Sequence, residues 1–162
     1  MFLKIKKMDP EARIPQYQYD TDAGMDLHSL YAGVIKPGER GRVHTGIAIA
    51  LPPGYEAQIR SRSGLAFKHG VVVLNSPGTI DEGYRGEIGI LLINHGHEDY
   101  RFDKGDRIAQ MVIQRTETRN VQIREVKELD ETERGAGGFG STGVSKEEKN
   151  SLLREKILSE GN

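Results

Sequence analysis

The sequence predicts an all-β domain of sandwich or barrel type, and two observations carry that expectation. From Met1 to about Val126, short apolar or alternating runs are broken every ~8–12 residues by turn residues. No stretch before residue 144 has sustained helical period, except that 63–70 (SGLAFKHG) is long enough for one or two turns.

Taken in order, GVIKPGER (33–40) reads as a strand running into the turn pair Pro37-Gly38. Residues 42–61 read as two strands joined at Pro52-Pro53-Gly54, with Ile47, Ile49 and Leu51 alternating with Ala48 and Ala50. VVVLN (71–75) is β-branched and predicts a strand buried on both faces. Residues 87–96 and 107–115 predict two further strands, the second introduced by the turn Lys104-Gly105-Asp106, and VQIREV (121–126) alternates again. After Val126 the character changes. KELDETE (127–133) is charged, five of the ten residues in RGAGGFGSTG (134–143) are glycine, and 144–162 has helical spacing at Leu152, Leu153, Ile157 and Leu158. Ser145 and Glu148 make a capping box at its start. The organisation expected is a β domain over 1–130, a flexible Gly-rich segment over 131–143, and a helical or disordered extension over 144–162.

With 162 residues the chain fits one domain with a tail. A formal net charge of −1 and the lack of long like-charge blocks give no sign of a nucleic-acid partner. With no cysteine there is neither a disulfide framework nor thiolate chemistry. No run approaches the ~18 apolar residues of a membrane helix, and the start of the chain lacks a signal-peptide pattern. The expectation is a soluble cytoplasmic protein without membrane contact.

Four polar motifs interrupt the strands. DAGMDLHS (22–29) brackets Ala23-Gly24 with two aspartates, which a β-turn alone would also explain. RSRSGLAFKHG (60–70) brings Arg60 and Arg62 to Ser63-Gly64 at a possible helix start, either an anion site or a capped turn with surface arginines. NSPGTIDEGYRGEIG (75–89) sets Asn75, Asp81 and Tyr84 among glycines between two apolar strands, where a rigid scaffold can hold reactive groups. Gln110 falls inside the apolar run GDRIAQMVIQ, so its amide either bonds neighbouring backbone or faces a site. His95 and His97 have no evident third ligand, so no zinc site is expected.

Order and spacing add what no single motif gives. AGMDLHS, RSGLA, GTIDEGYRGE, GDRIAQ and RGAGGFGSTG strongly resemble the ordered motifs of the trimeric dUTPase (dUTP diphosphatase) family, from about Lys4 to Gly143. The resemblance implies a distorted β jelly roll and a homotrimer whose active sites are each built from all three chains. It implies hydrolysis of dUTP to dUMP and pyrophosphate, which limits uracil incorporation into DNA and supplies dUMP for thymidylate synthesis. Asp81 would activate the attacking water, and Asp26 would hold waters around a substrate-bound Mg2+. Arg62, Ser63, Gly64 and Gln110 would bind phosphate. Asn75, Thr79, Ile80, the Asp81 backbone and Gly89 would read uracil, and Tyr84 would lie against the deoxyribose. The Gly-rich segment would act as a lid: Arg134 on the γ-phosphate, Phe139 on the uracil, Ser141 and Thr142 on phosphate oxygens, with Gly140 also at the substrate. Two departures from the family pattern stand out. Gly83 occupies a position often acidic, two residues after Asp81, and 144–162 extends beyond the end of many members. The rival of related fold is dCTP deaminase, or a bifunctional deaminase and dUTPase. The Thr79-Ile80-Asp81 context and the complete last motif argue against it. A non-catalytic nucleotide-binding trimer would be expected to have lost Asp81, Gln110 or Arg134.

Overall fold

The computed structural model describes residues 2–138 and 150. The chain divides into two units, Met1–Gln122 and Ile123–Asn162. The first contains β1 (Lys4–Lys7), β2 (Met25–His28), β3 (Gly33–Ile35), β4 (Arg40–His44), β5 (Ile47–Ala50), β6 (Tyr55–Arg60), α1 (Ser63–His69), β7 (Val71–Val73), β8 (Gly78–Ile80), β9 (Gly89–Asn94), β10 (Tyr100–Phe102) and β11 (Arg107–Arg115). The sheets are β1-β5, β10-β3, β2-β11-β6-β8 and β4-β9-β7, and all pairings are antiparallel. This first unit is all-β with one short helix, a distorted jelly roll.

The four-stranded sheet positions the polar motifs. β11 is its longest strand and pairs on both sides, with Gln110 opposite Asp26 on β2 and Arg60 on β6. Directly opposed residues share a face and successive residues alternate. Met25, Leu27, Ala109, Met111, Ala57 and Ile59 therefore turn into the core, where all are buried. Asp26, Gln110 and Arg60 fall on the other face. A register shift between Arg107 and Ala109 marks a bulge at the start of β11. In the three-stranded sheet Ile90 and Leu92 of β9 oppose Val43, Gly41 and Val73 and are buried.

Two devices pin α1. Gly70 ends it in the left-handed conformation (φ 66°), its N–H bonding Ala66 and Leu65 carbonyls. A Cβ there would meet the Gly96 nitrogen at 2.7 Å, so the backbones cross where only glycine fits. Beside this crossing Asn94 is fully buried and fully used. Its Nδ2 donates to Ile35 O and Glu98 O, and its Oδ1 accepts from Gly96 N, each at 2.8 Å.

Several sequence expectations change. Residues 42–61 belong to three strands rather than two, because Gly46 takes φ 68° and breaks the run between β4 and β5. Val71–Val73 alternates, with Val72 only half-buried, and Leu74 is exposed. Residues 121–126 form no strand; Val121, Ile123 and Val126 are exposed. Alternation makes a strand only where an edge accepts the backbone groups, and this segment pairs with none among the described residues. In the second unit residues 123–138 contain no strand or helix, only a turn at 133–136. The expected lid residues Phe139, Gly140, Ser141 and Thr142, and the extension 144–162 apart from Asn150, lie outside the described residues. No helix among the described residues is long and apolar enough to cross a membrane.

Candidate functional site

Asp26, Arg62, Ser63, Gly64 and Gln110 come together around one open cleft of about 280 Å³. The cause is the register of the four-stranded sheet. β2 and β11 place Asp26 beside Gln110, while β6 delivers the chain to Arg62 and the first turn of α1. Asp26 is only 9% exposed, so its charge needs partners. Arg62 Nε lies 3.1 Å from one carboxylate oxygen and Arg107 Nη1 lies 3.4 Å from the other. Arg62 is fixed further by donating from Nη1 to the Arg107 carbonyl at 2.8 Å, which leaves the rest of its fork for the cleft.

Gln110 answers its two sequence readings at once. Its Nε2 donates to the Ser61 carbonyl at 2.9 Å, and the side chain lines the cleft. Ser61 Oγ in turn accepts from Val73 N at 2.9 Å. Gly24 completes the wall, and a Cβ there would approach Gln110 Oε1 at 2.7 Å. Gln18, Asp22 and Ala23 line the same cleft. The contribution of Arg107 was not foreseen, although it sits inside a quoted motif; its register opposite His28 is invisible in the sequence. His28 has a buried Nδ1 without a hydrogen-bond partner among the described residues. Burial first, then the Arg13 charge, hold its pKa below the usual histidine value.

The second group of candidates lies elsewhere on the sheet. Asp81 follows β8, is exposed, and lines a separate cavity of about 340 Å³ with Tyr55, Glu56, Thr116 and Arg119. Thr79 is exposed opposite Gln58, and Ile80 packs against the core. Asn75 is exposed and reaches toward Gly78, where a Cβ would stand 3.3 Å from its Nδ2. Tyr84 donates its hydroxyl to the Glu87 carbonyl at 3.0 Å, folding its ring over Gly86. Gly89 opens β9 against the Arg42 side chain.

A single chain does not unite the two groups. Ile80 opposes Ala57, three residues along β6 from Arg60, and β2 and β8 are the outer strands of the sheet. Three strand spacings of about 4.8 Å and three residues of about 3.3 Å separate Ile80 from Asp26 by roughly 17 Å. Arg134, in the second unit, donates from Nε to the Gly137 carbonyl at 3.0 Å. Among the described residues no cluster of three or more His, Cys, Asp or Glu is arranged to hold a metal.

Fold and cleft together define an all-β protein with an open polar cleft in which Arg62, Ser63 and Gln110 stand beside Asp22 and Asp26. The dUTPase family model matches residues 10–143, and the chain belongs to that family. It is 57% identical over 144 residues to a deoxyuridine 5'-triphosphate nucleotidohydrolase of Clostridium acetobutylicum, covering 89% of this chain and 98% of that one. A protein of the same name from Nautilia profundicola is 59% identical over 143 residues, with coverages of 88% and 99%. The solved structure of Staphylococcus bacteriophage 80alpha dUTPase with dUpNHpp matches with TM-score 0.80 at 33% identity, covering 88% of this chain and 99% of the phage chain. A mutant dUTPase of phage phi11, whose structure concerns coordination of a structural Mg(II) ion, matches with TM-score 0.68 at 28% identity, over 82% and 99% of the two chains.

Proposed function

We infer that this chain is a dUTP diphosphatase, converting dUTP and water to dUMP and pyrophosphate. Membership of the dUTPase family carries this reading, and the cleft gathering Asp26, Arg62, Ser63, Gly64 and Gln110 supports it chemically. Guanidinium, hydroxyl and amide donors around an open cleft suit a polyphosphate.

The remaining assignments rest on that reading. Asp81 takes a proton from a water whose oxygen attacks the α-phosphorus in line. The bond from that phosphorus to the bridging oxygen breaks, and pyrophosphate leaves with its electron pair. Arg62, Ser63, Gly64 and Gln110 orient the phosphates, and Arg134 neutralises the γ-phosphate as charge develops on the leaving group. Asn75 and the backbone of Thr79, Ile80, Asp81 and Gly89 offer uracil a polarity that cytosine does not match. Tyr84, held down by its bond to Glu87, excludes a 2′-hydroxyl. Phe139 stacks on the base, and Gly140, Ser141 and Thr142 close over the phosphates.

The donor set fits Mg2+. Asp26 has both oxygens engaged by guanidinium groups, which suits contact through water rather than direct ligation, the mode Mg2+ favours when phosphates supply its inner oxygens. When bound, the ion neutralises triphosphate charge.

The separation of Asp81 from the cleft supports a homotrimer in which different subunits supply the two halves of each site. We place the enzyme in the cytoplasm, in keeping with a nucleotide substrate and a chain without cysteine. Incubation with each deoxynucleoside triphosphate and Mg2+, followed by assay for pyrophosphate, tests the function. Cleavage of dUTP alone is expected. Ammonia release from dCTP would instead support the deaminase alternative, which the dUTPase match disfavours.

A further inference from the structure

The loop between β8 and β9 carries Asp81 and Tyr84, and it is fastened at both ends by glutamates. At the far end Glu87 accepts from Gly46 N at 2.9 Å and pairs with His44 Nδ1 at 2.8 Å, with Arg42 at 3.4 Å. Within the loop Arg85 Nη1 donates to the Glu82 and Tyr84 carbonyls at 2.6 and 2.7 Å. At the near end Glu82, the residue after Asp81, accepts from Gly54 N at 2.7 Å. It also takes Arg119 Nη2 between its two oxygens, at 2.7 and 3.0 Å. Gly54 belongs to the β5–β6 turn (φ 80°), and its carbonyl accepts from Thr116 N at 2.9 Å. Glu82 thus ties the Asp81 peptide, through one carboxylate, to the β5–β6 turn and to the turn that follows β11.

We propose that Glu82, through Arg119 and the Gly54 N–H, is a positioning residue that fixes the direction of the Asp81 carboxylate for reaction. The proposal deepens the dUTPase reading and rests on it. Among the described residues the exposed Asp81 carboxylate has no partner of its own that orients it, such as many catalytic bases have. Its placement then depends on the neighbouring peptide. Small misplacements of reacting groups lower rate steeply, whereas a part-exposed ion pair adds little to global stability. Arg119 is 64% exposed in its side chain, so a merely structural role predicts almost no consequence of losing it.

The test is a steady-state comparison of wild type, Glu82→Gln, Arg119→Ala, Arg119→Lys and the double variant with dUTP and Mg2+. Each single loss should lower kcat by about 10-fold while KM changes by less than about 3-fold and the melting temperature stays near wild type. Arg119→Lys should restore part of kcat, and the double variant should be no worse than the single ones. A kcat within about 2-fold of wild type in both Glu82→Gln and Arg119→Ala would overturn the proposal, as would fully additive losses. If Glu82→Gln does not fold, the arginine variants carry the test. Absence of dUTP turnover in wild type would overturn the functional reading itself, a distinct result.

Discussion

Gly24 and Gln110 meet across the Asp26–Arg62 cleft with no room to spare. In Gly24→Ala the new methyl carbon would sit 2.7 Å from Gln110 Oε1 and 3.4 Å from its Cβ and Cδ. Only the first distance is prohibitive, and that atom ends a flexible side chain. The amide should therefore swing away while the backbone stays. Its bond to the Ser61 carbonyl, 2.9 Å in wild type, is then lost, at about 0.5–1.5 kcal/mol of stability. On the role proposed for Gln110, withdrawal of its amide from a phosphate oxygen should lower kcat/KM for dUTP by a similar free energy, about 2- to 13-fold. The assay is kcat/KM and thermal unfolding for Gly24→Ala, Gln110→Ala and the double variant. Because both substitutions act on one amide, the double variant should be no worse than Gln110→Ala. Full activity in Gly24→Ala, or additive losses, would refute the reasoning.

Other outcomes follow from the same geometry. Asp81→Asn should lose about 10²–10⁴ in kcat while its affinity for dUpNHpp, measured by calorimetry, stays within a few-fold of wild type. Truncation before Arg134 should abolish most turnover while the melting temperature of the remaining chain is unchanged. Burial raises the Glu87 carboxyl, but the His44 and Gly46 bonds and the Arg42 charge outweigh it and hold its pKa below the ordinary 4.5. The stability it contributes is complete above that value and disappears as pH falls through the lower folded pKa. The melting-temperature gap between wild type and Glu87→Gln should therefore persist at pH 5 and above and shrink only below about pH 4.5.

How much of this was legible depends on the length and partner of each element. β11 is readable because nine residues with apolar character sit between clear turn signals, and its observed bounds, Arg107–Arg115, are those the pattern predicts. β8 and β10 are three residues each, too short for alternation to register. Residues 121–126 alternate as well as any strand, yet pattern alone provides no edge to pair with. At the site, the motifs contain eight of the nine residues lining the Asp26–Arg62 cleft, all but Gln18, and five of the nine were expected to bind substrate or metal. The role of Arg107, the Gln110–Ser61 bond and the clasp of Glu82 on Arg119 were hidden, because each depends on the register between strands far apart in sequence. The roughly 17 Å between Asp26 and Ile80 likewise follows from strand order and register, which no local pattern contains.

That separation makes one measurement decisive for a site assembled between subunits. Asp81→Asn and Arg62→Ala chains, each inactive alone, should be co-assembled in equal amounts and assayed for dUTP cleavage. If Asp81 and Arg62 reach each site from different subunits of a ring, about a quarter of the sites receive two intact contributions, and activity returns to about that fraction of wild type. Activity no greater than the sum of the two variants would contradict the account.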